Sequence, residues 1–425
     1  MIIVDKALAQ RAAQGNPIRV AIAGAGYSGR RIAYQIMTAV PGMRVVAIAN
    51  RTIAGARSAY ADAGVAEVLT VDSPSAVDDA IRSGRFCVAE DPGLLCAAEG
   101  VDLVIECTGT VEAGARTVLK AIEHRKHVVV MNVELDATVG PILKAKADAN
   151  GVVYSNSDGD EPGVAMNMIR FVRSIGLKPV VAGNLKGLYD RYRNPDTQRE
   201  FAERVRQKPT TMTHFADGTK LSMELNVLAN ATGFKVGKRG MYGPALAHVN
   251  EAAAFFRERL IGTGMVDFTV GAAPANGAFV VGHTEDPVRM DYLKYLKMGD
   301  GPLYVFYTPF HLPHLEIPLT AARAALFGDA TVAPAGPPSC DSVAVAKRDL
   351  KEGETLDGIG GFTAYALLEN YETSRAQRLL PMGLAEGCRL RRAIAKDTAI
   401  TYDDVDLPKG RLCDALRREQ DARFA

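Results

Sequence analysis

Ile18-Arg-Val-Ala-Ile-Ala-Gly24-Ala-Gly26-Tyr27-Ser28-Gly29-Arg30 decides the fold of this chain, because a strand, a glycine turn and a helix start follow one another without a break. The apolar run suits a buried parallel strand. Gly24 lets the chain turn, Gly26 lets a pyrophosphate approach the backbone, and Gly29 lets the next helix pack close to the strand. The helix start, with Tyr27 and Ser28, then offers an anion free N–H groups and the favourable end of the helix dipole. With 40 glycines in 425 residues a lone GxGxxG is a weak signal, so the flanks matter. A helical run over 30–40 stops at Pro41-Gly42, and Met43-Arg-Val-Val-Ala-Ile-Ala49 closes a βαβ unit of the expected length. The stretch reads as a dinucleotide cradle.

The end of the second strand bears on which dinucleotide. An NAD site places a carboxylate there for the ribose 2′-hydroxyl, whereas this chain has Asn50-Arg51-Thr52. Arg51 suits a 2′-phosphate through a planar, charge-assisted contact, which favours NADP over NAD; the bland alternative is a solvated arginine.

At 425 residues the chain is too long for one core and implies two or three domains. A net charge of +1 gives no reason to expect nucleic acid or an anionic membrane as partner. Neither a signal peptide nor an apolar run approaching 18 residues is apparent. Six scattered cysteines without a CxxC pair argue against a zinc site or a disulfide framework. A cytoplasmic protein is expected.

Residues 1–16 suggest a short amphipathic helix, with Val4, Leu8 and Ala12 on one side, packing on the dinucleotide domain or on a second copy of the chain. From 18 to about 158 strands alternate with helices, which implies a doubly wound parallel sheet of the Rossmann kind, an α/β fold. Two loops at strand ends fall on its cofactor side: Cys107-Thr108-Gly109-Thr110, and Met131-Asn132-Val133-Glu134, where Asn132 and Glu134 suit nicotinamide or substrate. The alternative is that Thr110 or Asp136 simply caps a helix.

From 160 to about 327 the pattern becomes α+β. A helix over 164–175 and a strand over 180–184 precede Thr210-Thr-Met-Thr-His-Phe-Ala-Asp217-Gly218, read as a hairpin turn followed by a strand over 221–228. Residues 328–340, small and proline-rich, read as a linker. Beyond it Val343-Ala-Val-Ala-Lys is faintly echoed by Arg392-Ala-Ile-Ala-Lys, suggesting a small β-rich domain, and a basic helix over 410–423 reads as a solvated face. The expected domains are thus 1–158, 159–328 and 341–425, with 329–340 as linker.

Asn156-Ser-Asp-Gly-Asp160-Glu161-Pro162 crowds carboxylates at the domain junction, where they raise a pKa, bind a cation or recruit a lysine, or else begin a helix. Lys186, after a strand, is a candidate acid that polarises a carbonyl or alkoxide oxygen during hydride transfer. Arg191 and Arg193 clamp an anion or are solvated; Asn230, Lys238 and Arg239 again suit an anion. His311 suits a substrate hydrogen bond, and Arg323 either reaches the same site or forms a structural ion pair. A metal site from His311, His314 and Glu316 is disfavoured, because i and i+3 point apart on an extended segment.

Gly24-Ala-Gly26-Tyr-Ser-Gly29, Glu106-Cys-Thr-Gly109, Met131-Asn-Val-Glu134, Gly159-Asp-Glu-Pro162, Ala229-Asn-Ala-Thr-Gly233, Gly240-Met-Tyr-Gly-Pro244, Pro309-Phe-His-Leu312 and Leu315-Glu-Ile-Pro-Leu-Thr320 together resemble the homoserine-dehydrogenase-like oxidoreductases that carry a C-terminal SAF domain. The resemblance spans nearly the whole chain and identifies the module after 340 as SAF-like. It implies a homo-oligomeric NAD(P)-dependent oxidoreductase acting on a sugar, sugar acid or sugar phosphate. It also places Lys186 at the family's substrate-domain lysine and Asp160 and Glu161 in its acidic motif. One branch, the 1-deoxy-D-xylulose 5-phosphate reductoisomerase-like enzymes, couples reduction to a ketol-type carbon shift, which would benefit from Mg or Mn; the loop over 188–208 departs from that branch. Homoserine dehydrogenase and a non-catalytic dinucleotide sensor are the rival readings.

Overall fold

A computed structural model describes residues 4–424; residues 1–3 of the expected amino-terminal helix, and residue 425, lie outside it. The described chain divides into two compact units. One runs to Asp160 and adds Leu312–Ala333; the other comprises Glu161–His311 and everything from Pro334.

Seven parallel strands build the first unit: β1 (Ile18–Ala23), β2 (Met43–Ala49), β3 (Val68–Thr70), β4 (Phe86–Ala89), β5 (Leu103–Glu106), β6 (His127–Val130) and β7 (Tyr154–Asn156). Their order is β3-β4-β2-β1-β5-β6-β7, so the direction of winding reverses beside β1, where doubly wound sheets bind ligands at their carboxyl ends. Nearly every side chain of β1 and β2 is buried, as a sheet covered on both faces requires. Val4 and Leu8, at the helix Asp5–Ala13, enter the same core. The helix Pro313–Phe327, expected with the substrate domain, belongs to this unit: Ile317, Ala321, Ala322 and Ala324 pack in one cluster with Ile32, Ala33 and Ile36. Its return is fastened by Asp158, which accepts hydrogen bonds from the Thr320 hydroxyl at 3.1 Å and the Thr331 hydroxyl at 2.6 Å.

The second unit holds a four-stranded mixed sheet from β8 (Lys178–Lys186), β9 (Met265–Val270), β10 (Ala278–His283) and β11 (Leu303–Thr308), ordered β11-β10-β8-β9. β8 pairs parallel to β9 and antiparallel to β10. The expected hairpin at 210–228 is instead two helices, Pro209–Ala216 and Thr219–Thr232. Gly218 is left-handed, as a hairpin turn would need, but the conformation serves the entry to a helix (φ 86°). That helix is almost wholly buried, and its Leu225, Leu228 and Ala229 share a core with Cys340 and Leu368 of the carboxyl-terminal region. There β12 (Cys340–Ala346) pairs with β13 (Ala364–Asn370), and β14 (Arg389–Leu390) with β15 (Val405–Asp406), all antiparallel. The final helix, Leu412–Arg423, is not a merely solvated basic face: Arg417 is buried, with Nη1 on Asp341 Oδ1 at 2.8 Å and Nε on Asp421 Oδ1 at 3.0 Å.

Candidate functional site

Each glycine of the first turn has a steric reason. A Cβ on Gly24 would stand 2.6 Å from the Cys107 carbonyl oxygen, and one on Gly29 would collide with the Gly24 carbonyl, so both seat strand and helix against β5. Gly26 meets nothing within 4 Å: it faces open space, and as the N-cap of the helix Tyr27–Ala39 it has no side-chain cap. First-turn N–H groups of a helix lack intrahelical acceptors, so the turn fits the pyrophosphate of a dinucleotide. Ser28 Oγ lies 3.1 Å from His314 Nε2, and the Tyr27 ring meets His314 edge-on. His314 therefore supports the turn within the first unit, whereas His311 belongs to the second.

Asn50 fixes the turn from β2. Its Oδ1 accepts from Ala25 N at 3.0 Å and its Nδ2 donates to Thr52 O at 3.0 Å. Arg51 beside it is exposed. At the ends of β5 and β6, Thr108 is half-buried and Gly109 exposed. Asn132, rather than Asp136, caps the helix Val133–Ala149: Oδ1 accepts from Leu135 N at 3.1 Å, while Nδ2 donates to Thr110 O at 2.9 Å. Asp136 is buried against Tyr154 OH and Asn156 Nδ2, each at 3.1 Å, and Glu134 is half-buried in the first helical turn.

Glu106, at the end of β5, was quoted within a motif but given no role by sequence reasoning. It is fully buried. Its Oε1 accepts from Thr108 N at 2.7 Å and from the Thr108 hydroxyl at 2.5 Å, while Oε2 accepts no hydrogen bond among the described residues. Burial pushes its carboxyl up to about 7, against the opposing hydrogen bonds from Thr108.

The second unit assembles a charge cluster around the end of β8. Lys186 Nζ donates to Glu161 Oε1 at 2.7 Å and to Glu224 Oε2 at 3.2 Å. Glu224 also receives Asn184 Nδ2 at 2.7 Å and Lys220 Nζ at 2.9 Å. His311 Nδ1 lies 3.0 Å from Glu161 Oε2. Both carboxylates are buried, whereas the Lys186 side chain keeps 19% of its exposure and His311 22%. Burial would lower the Lys186 pKa, but Glu161 and Glu224 outweigh it and hold the ammonium charged well above its usual range. Burial would likewise raise Glu161, yet Lys186 and His311 hold it well below the usual carboxylate range.

Lys220 and Glu224 escaped sequence reasoning because residues 221–228 read as a strand after a hairpin turn, which separates Lys220 in the turn from Glu224 in the strand. On the observed helix their i,i+4 spacing is the signal, a Lys–Glu pair on an otherwise apolar segment.

The other anticipated substrate residues are elsewhere engaged. Asn230 is buried, its Oδ1 accepting from Ser339 N at 2.7 Å and Cys340 N at 3.2 Å, so it holds the linker rather than a substrate. Arg239 Nε donates to Glu369 Oε2 at 2.8 Å. Lys238 Nζ sits 5.2 Å above the Tyr242 ring. Arg323 belongs to the first unit and pairs with Asp329 at 2.6 Å and Asp158 at 3.5 Å, the structural alternative foreseen for it. Arg193 pairs with Asp190, whereas Arg191 Nε reaches the Tyr189 hydroxyl at 2.9 Å. Asp160 is buried at the end of the first unit.

A glycine cradle on a Rossmann sheet, in a chain that also carries a matched oxidoreductase catalytic domain, defines the class: an NAD(P)-dependent oxidoreductase of the dehydrogenase/reductase kind. Three family models match in succession: residues 24–155 the homoserine dehydrogenase NAD binding domain, residues 159–317 the catalytic domain of oxidoreductase DRL, and residues 341–406 the SAF domain. The resemblance drawn from the motifs therefore holds along the chain, and the cofactor is a nicotinamide dinucleotide. No curated protein matches. Among solved structures, a probable dehydrogenase from Thermotoga maritima is 14% identical over 75% of this chain and 90% of that one, with a TM-score of 0.41. A myo-inositol dehydrogenase from Lactobacillus casei, in complex with NAD(H) and myo-inositol, is 13% identical over 68% of this chain and 74% of its own, with a TM-score of 0.40. Among the described residues no helix is long and apolar enough to cross a membrane.

Proposed function

We propose that this chain is an NADP(H)-preferring oxidoreductase that interconverts a carbonyl and an alcohol on a small, polyhydroxylated, anionic substrate, with Lys186 as the catalytic acid. The observation that carries the reading is the Lys186 ammonium held between two buried carboxylates at 2.7 and 3.2 Å. The bound nicotinamide would supply or accept hydride at its C4. Gly24, Gly26, Tyr27, Ser28 and Gly29 would hold the pyrophosphate, Asn50 would set the turn, Arg51 would meet the 2′-phosphate, and Thr108, Gly109, Asn132 and Glu134 would line the nicotinamide end.

In the reducing direction an alkoxide develops on the former carbonyl oxygen, and an alkoxide is more basic than an ordinary amine. A lysine whose pKa is raised is matched to that oxygen: it stays charged until the alkoxide forms, then delivers its proton. Glu161 bridges Lys186 and His311, so it is placed to return a proton from the partly exposed imidazole to Lys186. His311 serves as the relay's outer group, and Arg191, which forms no salt bridge among the described residues, suits the substrate's anionic end.

The test is absorbance at the nicotinamide band with NADPH and a panel of ketoses, sugar acids and 1-deoxy-D-xylulose 5-phosphate, using wild type and Lys186→Met. Turnover with wild type, lost in the variant while NADPH still binds, is the expected result. No turnover on any member, or full activity in the variant, overturns the reading. A coupled carbon shift gains support from one arrangement: the Glu161 carboxylate and the His311 imidazole, 3.0 Å apart, are donors that a divalent cation such as Mg or Mn accepts. Turnover unchanged by chelator would remove that cation. Oxidation of homoserine would move the chain to the homoserine dehydrogenases. As the resemblance implies, a homo-oligomer is expected, and the scattered cysteines suit the cytoplasm.

A further inference from the structure

The seven strands are parallel, so the two ends of the sheet differ chemically. The carboxyl end carries the glycine turn. The amino end, about 20 Å away along the six residues of β1, opens into a cavity of about 390 Å³ lined by Arg11, Arg19, Asp102, Arg125, Lys126 and His127. Its charges do not balance. Asp102 clasps the Arg19 guanidinium through two bonds, 2.6 and 3.0 Å, and the two cancel. Arg11, Arg125 and Lys126 remain; Asp78, outside the lining, offsets one of them through its field on Arg19 and Lys126, and the carboxyl end of the helix Val111–Glu123, which Arg125 follows, offers only about half a negative charge more, so positive charge stays in excess.

Lys126 is the most telling of the three. It is 8% exposed, yet among the described residues its ammonium donates to neutral carbonyls, Val101 O at 2.8 Å and Glu99 O at 3.4 Å. Burial lowers its pKa against the opposing pull of Asp102 and Asp78, neither of which forms a salt bridge with it among the described residues. His127 accepts from Val153 N at 3.0 Å through Nδ1, which places its proton on Nε2 as a further donor. An excess of positive charge around a desolvated lysine, in a cavity of the size that small molecules occupy, calls for an anion.

We propose that this cavity is a second binding site, separate from the dinucleotide cradle, for a small metabolite bearing at least two negative charges, either a phosphate ester or a polycarboxylate. The test uses the full chain with saturating NADP, so that the glycine turn is already filled. Inorganic pyrophosphate and citrate are titrated separately, against sodium chloride at equal ionic strength, with calorimetry and the shift in Tm as readouts. The expected result is saturable binding of at least one probe, weakened tenfold or more in Arg11→Ala/Arg125→Asn. Asn is chosen because it tolerates the left-handed backbone at 125 (φ 55°). Arg82→Ala/Arg116→Ala, which removes the same charge elsewhere on this unit, should bind as wild type does. Whichever probe binds more tightly distinguishes the phosphate from the carboxylate source. No saturable binding beyond the salt control, or equal binding by the Arg11/Arg125 variant, overturns the proposal.

Discussion

Glu106 in the first unit and Glu161 in the second are equally inaccessible to bulk water, yet their carboxyls titrate in opposite directions. Burial dominates at Glu106, where Thr108 hydrogen-bonds one carboxylate oxygen and no cation forms a salt bridge among the described residues, and the carboxyl rises to about 7. At Glu161 the same penalty is overcome by Lys186 at 2.7 Å and His311 at 3.0 Å, and the carboxyl stays ionised. Burial therefore does not set a charge state; the partner does. Glu161 is the carboxylate suited to carrying charge in a proton relay, whereas Glu106 is suited to holding a loop.

The strongest way to break this contrast is to remove the charge at Glu161. Glu161→Gln keeps the shape but strands Lys186 on Glu224 and cuts the link to His311. We expect kcat to fall about 10²- to 10⁴-fold with NADPH affinity unchanged; steady-state kinetics within threefold of wild type would sink the relay. A third buried carboxylate sharpens the rule. Asp341 is paired with Arg417, so Arg417→Met should cost about 3–5 kcal/mol in denaturant unfolding, and a cost below about 1 kcal/mol would show that the pair is dispensable.

A smaller effect is expected at Glu106. Its folded pKa lies above the unfolded value of 4.5, so its contribution to stability is full below about pH 4.5 and is lost as pH rises through about 7. Glu106→Gln should remove a pH-dependent loss on the order of 3 kcal/mol, read as a flatter Tm profile between pH 4.5 and 8; an unchanged profile would mean that Glu106 is ionised in the fold. The smallest effect belongs to an exposed cation. Arg51→Ala should weaken NADPH about tenfold, on the order of 1.5 kcal/mol, and leave NADH unchanged. An equal loss for both would dissociate Arg51 from the 2′-phosphate.

The sheet and its cofactor edge were legible because their signals are local. Within thirteen residues Ile18 to Arg30 state strand, turn and helix, and the close packing at Gly24 and Gly29 leaves no room for a Cβ at either. Lys186 and Glu161 were also visible singly, as a lysine after a strand and an acid at a junction. Their pairing with Glu224 was not. Asp217-Gly218 announces a left-handed glycine, and that backbone serves a hairpin turn and a helix entry equally well.

What the sequence determined by itself was thus the dinucleotide-binding architecture and the residue types available for chemistry, since backbone preference and hydrophobic period act over a few residues. Tertiary structure alone decided which charges would be paired. Arg417 meets Asp341 from 76 positions away, and Lys186 meets Glu224 across 38. Asn230 is spent on the linker, and helix 313–327 returns to the first unit. Such outcomes depend on which apolar faces must be buried together, and an ionised side chain follows the face on which it stands.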